Sequence, residues 1–128
     1  MSQEIVAQLA PTGVLSAGIN MSNFLLVTGE TSDGDPDGVS PDMARAIADK
    51  LGVGCKLIPF KTPAEIADTA GKGVWDIGNI GAEPQRAAVM DFTAAYAEIE
   101  ATYMVPAGSS IQSIEEVDRA GIRIAHPP

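Results

Sequence analysis

Short apolar runs alternate along the chain with segments whose apolar residues recur at helical spacing. Val14 to Ile19 is apolar and is followed by polar residues, which reads as a buried strand. Met43, Ile47, Ala48 and Leu51 share one helical face, and Gly52 is placed to end that helix. Lys56 to Pro59 reads as the next strand. Thr62-Pro63-Ala64-Glu65 forms a capping box with proline at the first helical position, and Gly71 or Gly73 is expected to close the helix it opens. Asp76 to Ile80 predicts a third strand, and Pro84 opens a short helix reaching about Met90. Glu100 to Val105 reads as a further strand. Ser113-Ile114-Glu115-Glu116 reads as a second capping box with a helix running towards Gly121, and Ile122 to Ala125 as the start of one more strand. The sum is an α/β fold, a mostly parallel sheet with helices on both faces. His126-Pro127-Pro128 follows the last strand without the crossover and neighbours that a parallel strand needs.

The stretch SDGDPDGVSPD interrupts this alternation. Asp33, Asp35, Asp37 and Gly38 match the opening of a calcium-binding EF-hand loop, but the twelfth position is Ala44 where a bidentate glutamate is required. A helix entrance fits better, with Ser40 as cap, Pro41 at the first helical position and Asp42 facing the positive end of the helix dipole.

Charge narrows the partners. Eight basic residues against 17 acidic ones give a formal charge of −9, and the basic residues are scattered. Such a surface repels phosphate backbones and anionic lipid, which argues against nucleic acid and membrane surfaces. The lone Cys55 lies in an apolar segment and is expected in the core. The first residues lack a basic region followed by an apolar stretch, so the chain is expected to be cytoplasmic unless a signal lies outside this sequence.

Open parallel sheets bind ligands outside the carboxyl ends of their strands. Asn20 to Phe24, Phe60 to Thr62 and Gly81 to Arg86 fall there and offer two aromatic rings, small residues and one guanidinium. Arg86, in the first turn of a helix, has two readings: it holds a carboxylate together with nearby backbone N–H groups, or it pairs with Glu83. Catalytic groupings are sparse. His126 and Cys55 are far apart, no zinc spacing or Walker-type phosphate loop occurs, and Trp75 and Tyr96 read as packing residues. No cofactor or metal is called for, and the residues suit a small-molecule binding module.

GVSPDMARAIADKLG, GKGVWDIGNIGAEPQRAAVMDFTAAY and SIEEVDRAGIRIA together resemble, in order and spacing, the first lobe of extracellular solute-binding proteins of the polar amino-acid type. These are the periplasmic receptors of ABC importers, with type II periplasmic-binding-protein lobes. The resemblance runs from about Gly13 to Ala125. It implies an N-terminal extension at 1–12, a first lobe at 13–103, and a hinge with the start of a second lobe at 104–128. It implies that Arg86 grips a ligand carboxylate, aided by the backbone of Gly81, Ala82 and Glu83. Phe24 and Phe60 would sandwich the ligand side chain, and Asn20 and Asn23 would line the same mouth. A periplasmic location and delivery to an ABC permease are implied as well.

The sequence departs from that pattern twice. Glu83 stands where relatives carry threonine, placing a negative charge beside the carboxylate site, so the ligand is expected to bear an amine or Glu83 to pair with Arg86. Relatives have two lobes, and the chain is expected to be a truncated piece that binds weakly alone, because closure supplies affinity. Two competing readings follow: a dehydratase-like enzyme using Glu83, and a fragment that forms homodimers through uncovered sheet surfaces.

Overall fold

A computed structural model describes residues 2–125. In chain order the elements are α1 (Gln3–Leu9), β1 (Val14–Asn20), β2 (Gly29–Glu30), β3 (Pro36–Asp37), α2 (Val39–Leu51), β4 (Gly54–Phe60), α3 (Pro63–Asp68), β5 (Ile77–Asn79) and α4 (Pro84–Ala87). The residues up to Thr93 pack as one unit and those from Ala94 as another.

In the first unit β1 is the central strand of a three-stranded parallel sheet ordered β4-β1-β5. Alternation along β1 assigns the two faces. Leu15, Ala17 and Ile19 are fully buried against Ala44, Ala48 and Leu51 of α2, with Val27 and Ile77 beside them. The opposite face is lined with glycine. Trp75 lies over Gly18 and Gly78, next to the buried Ile66 of α3. Its indole N–H donates to the Ile66 carbonyl and the Thr69 hydroxyl, which confirms Trp75 as a packing residue. Helices therefore cover both faces, as the alternating pattern predicts.

Several boundaries differ from the sequence reading for local reasons. α2 begins at Val39 with Gly38 as its cap, so Ser40 is not the cap and Pro41 is not the first helical residue. Ser40 is instead buried, and its N–H donates to the Leu26 carbonyl at 2.9 Å. Gly52 does end the helix, in the left-handed conformation that favours glycine. The acidic stretch ahead of α2 is a hairpin of β2 and β3, whose turn is closed by Thr31 accepting from the Asp35 N–H. β4 is longer than expected at both ends. α3 has the expected cap, Thr62 accepting from the Glu65 N–H at 3.3 Å. It ends at Asp68 rather than near the glycines, because the Thr69 hydroxyl donates to the Glu65 and Ile66 carbonyls of the last turn. The strand expected from Asp76 to Ile80 shortens to Ile77–Asn79. α1 falls in the segment expected as an extension, where Val6 and the buried Ala10 join the core around Leu15. Cys55 is exposed, not buried: it sits on the α2 side of an edge strand, near the strand's start. Partial screening from water still pushes its thiol up, Arg45 opposing and Asp49 and Asp35 reinforcing the shift.

Asp76 fixes the entry of β5. Its carboxylate accepts from the Ser16 N–H at 2.8 Å and its own N–H donates to the Ser16 carbonyl at 2.8 Å. Asp76→Ala removes the bond to the charged group and is expected to cost about 1.5–3 kcal/mol in urea denaturation. A change below ~0.5 kcal/mol would show that water replaces the carboxylate freely.

In the second unit the strands expected at Glu100 to Val105 and Ile122 to Ala125 are absent among the described residues, and the helix towards Gly121 shrinks to a 3-10 turn at Ile114–Glu116. A strand exists only where a neighbour takes its backbone hydrogen bonds, and none pairs with these segments. The Ser113 box itself forms. The Glu116 carboxylate accepts from the N–H groups of Gln112 at 2.7 Å and Ser113 at 3.2 Å, and the Gln112 bond is the main reason its pKa is lowered.

Candidate ligand-binding site

Parallel strands end on the same side, and the register makes those ends level: Asn20 stands beside Phe60, and Ile19 beside Asn79. The loops after β1, β4 and β5 therefore leave the sheet along one edge. Asn23 and Phe24 lie in the first loop, Lys61 and Thr62 in the second, and Gly81, Ala82, Glu83 and Arg86 beyond the third. Two further bonds gather this edge. The Met21 N–H donates to the Phe60 carbonyl at 2.9 Å, tying the first loop to the tip of β4. The Asn79 side-chain amide donates to the Ser40 carbonyl at 2.8 Å, bringing the start of α2 to the tip of β5. Neither bond has a local sequence signal, because each depends on the order of strands in the sheet.

The individual side chains do different work. Asn20 is buried, and its carboxamide oxygen accepts from the N–H and hydroxyl of Ser22 at 3.1 and 2.7 Å. The oxygen of Asn23 accepts from the N–H groups of Leu25 and Leu26 at 3.2 and 3.3 Å. Both asparagines thus shape the first loop. That loop presents Phe24, whose surface is 79% exposed. Phe60 is half-buried, its ring folded back over Gly18. Gly81, Ala82 and Glu83 are exposed.

Arg86 takes the form in which it pairs with Glu83. Its Nη1 donates to the Gly81 carbonyl at 2.8 Å and lies 3.2 Å from Glu83 Oε1. The guanidinium side chain is 16% exposed and that of Glu83 is 53% exposed, so the arginine is held against the loop with the glutamate outermost. α4 is a single turn ending at Ala87 instead of reaching Met90. So short a helix has little dipole, and the positive potential here comes from the guanidinium itself. The sequence position of His126 lies outside the described residues.

This edge offers two cations, Lys61 and Arg86, with an exposed anion beside Arg86, an exposed ring, and a floor of backbone amides and carbonyls. Such a set can orient a small polar molecule through its charged end while a ring covers its apolar part. Among the described residues no group of three metal-binding side chains gathers, and no helix is long and apolar enough to cross a membrane.

A family model described as bacterial extracellular solute-binding proteins, family 3, matches residues 19–123. No curated protein matches the chain. Among solved structures, an ancestral cyclohexadienyl dehydratase aligns with a TM-score of 0.62 at 21% identity, over 76% of this chain and 40% of that one. A mutant of domain 1 from TmArgBP in its arginine-bound form aligns at 0.60 and 21% identity, over 72% of this chain and 71% of that one. The L-cystine solute receptor of Neisseria gonorrhoeae, unliganded and open, aligns at 0.50 and 21% identity, over 66% and 36%. The chain thus spans 40% of the dehydratase's length and most of the isolated domain. At these identities the likeness is one of fold.

Proposed function

Given that the chain belongs to the bacterial extracellular solute-binding proteins, family 3, we propose that it forms the receptor's first lobe and captures a small amino-acid-like solute by its carboxylate. The observation that carries this reading is the level register of β4, β1 and β5, which opens the loops bearing Phe24, Phe60 and Arg86 on one edge. Arg86 anchors the carboxylate, since a guanidinium matches the two oxygens as a fork. Backbone groups from Gly81 to Glu83 complete that end, while Phe24 covers the ligand's apolar part above Phe60. Asn20 and Asn23 hold the loop that carries Phe24. On this reading 13–103 is the ligand-bearing lobe and 104–128 leads towards a second, with delivery of the solute to an ABC permease in the periplasm. No cofactor enters the scheme.

TmArgBP supports binding by one lobe, since its isolated domain 1 is described in an arginine-bound form. Affinity is expected to be weak without closure by a second lobe. The test is a thermal-shift and NMR screen of amino acids against the chain itself. At least one amino acid should raise the unfolding midpoint and perturb the residues of this edge. A screen in which none does either would overturn the proposal.

The dehydratase neighbour favours one alternative, an enzyme with Glu83 as its acid or base. The Glu83 carboxylate is taken up by Arg86 at 3.2 Å, which suits a binding role better than proton transfer. Turnover of a prephenate-like acid by the chain would reverse that preference. Pairing of two copies along β4 is disfavoured by Lys56 and Pro59, which blunt an edge strand.

A further inference from the structure

Glu83 occupies the residue before Pro84, the cap position of α4, yet its side chain makes no capping bond. Its carboxylate reaches Arg86 instead, 3.2 Å from Nη1. The two side chains are unequally held. Arg86 is 16% exposed and bonded to the Gly81 carbonyl, whereas Glu83 is 53% exposed. When the pair opens, the glutamate is the partner that moves into water and the guanidinium is the one that stays.

Resting on the reading of Arg86 as a carboxylate anchor, we propose that Glu83 is a built-in competitor for that anchor and selects the class of carboxylate the lobe accepts. The Gly81 carbonyl and Glu83 Oε1 take up both protons of Nη1, so an incoming carboxylate that uses this nitrogen must displace one of them, and the half-exposed glutamate is the one that yields. Glu83 is three residues from Arg86 on the same turn, so after displacement its charge stays close to the bound anion and repels it. A ligand that carries an ammonium group beside its carboxylate removes that penalty, because the displaced glutamate gains a new cation. The pair therefore favours zwitterions over plain carboxylates, with no contribution from a second lobe.

The test uses the whole chain and two small probes, sodium acetate and glycine, titrated at constant ionic strength. The reporter is the Arg86 Nε–Hε resonance, assigned by its disappearance in Arg86→Lys. In the native chain glycine should shift the resonance at lower concentration than acetate. In Glu83→Gln the acetate midpoint should fall about fivefold and the gap between the probes should close, the scale of a partly exposed ion pair. Equal acetate midpoints in the native and Glu83→Gln chains overturn the competitor while leaving Arg86 as anchor. A native chain that does not distinguish the probes overturns the selectivity. No response to either probe in either chain overturns the anchor itself, and the competitor with it.

Discussion

Replacing Gly38 by alanine is expected to cost the first unit a large share of its stability. Gly38 has a φ of +132°, a conformation that side-chain-bearing residues rarely adopt. A Cβ there would lie 2.6 Å from the Leu26 carbonyl oxygen, 3.0 Å from the Thr28 nitrogen and 3.1 Å from the Val27 Cα. All three are backbone atoms, so no side chain can swing aside. The same backbone is pinned on both sides of the glycine, by the Thr28 N–H donating to Asp37 and the Ser40 N–H donating to Leu26, each at 2.9 Å. Relieving the clash breaks these bonds and pulls Val27 out of the core under α2. Backbone strain of about 1–3 kcal/mol and overpacking of about 1–3 kcal/mol place the loss near 2–6 kcal/mol. That is a large share of the ~5–15 kcal/mol that holds a typical domain together. Gly29→Ala is the control, since nothing lies within 4 Å of its added Cβ, and it should change the urea midpoint little. A Gly38→Ala chain as stable as the control would mean that residues 26–28 yield easily.

Gly38 also shows what a sequence can and cannot disclose here. It was legible as part of a helix entrance, because aspartates, glycines and prolines in one stretch have strong local preferences. Which residue capped the helix depended on Leu26 and Thr28 in another loop, and no local pattern records that contact. The same division runs through the fold. The strand at Val14, the cap at Thr62 and the stop at Gly52 follow from neighbours in sequence, and each is present. Exposure of Cys55 follows from the place of β4 at the sheet's edge, and the strands missing beyond Ala94 follow from the lack of a pairing partner among the described residues. Both are properties of topology. α1 was legible in principle, since Ser2 caps it by accepting from the Ile5 N–H and Val6 lies on its apolar side. At the candidate site, sequence and structure both put the loops after β1, β4 and β5 along one edge, because parallel strands end on the same side. The state of Arg86 stayed open between two partners because spacing alone permits both.

Replacing Arg86 by alanine is expected to remove most of the stabilisation by any ligand that binds through a carboxylate. A charge-assisted bond contributes about 1.5–3 kcal/mol, so affinity should fall by about one to two orders of magnitude. A ligand present at a hundred times its native Kd stabilises the chain by about 2.7 kcal/mol, and at the mutant's Kd most of that shift disappears. The ligand-free chain gives the necessary comparison. Arg86 there bonds only Gly81 and Glu83 among the contacts described above, one of them a half-exposed pair, so its own loss should be about 1 kcal/mol. Arg86→Lys separates charge from shape: lysine keeps the cation without the fork and should recover part of the ligand shift. The two explanations of Arg86 therefore predict opposite patterns. An anchor loses ligand response far more than intrinsic stability, whereas a clamp for the Gly81 loop loses intrinsic stability and leaves the ligand response in place. A native-sized ligand shift in the alanine chain would reduce Arg86 to that clamp and remove the carboxylate site from this edge of the sheet.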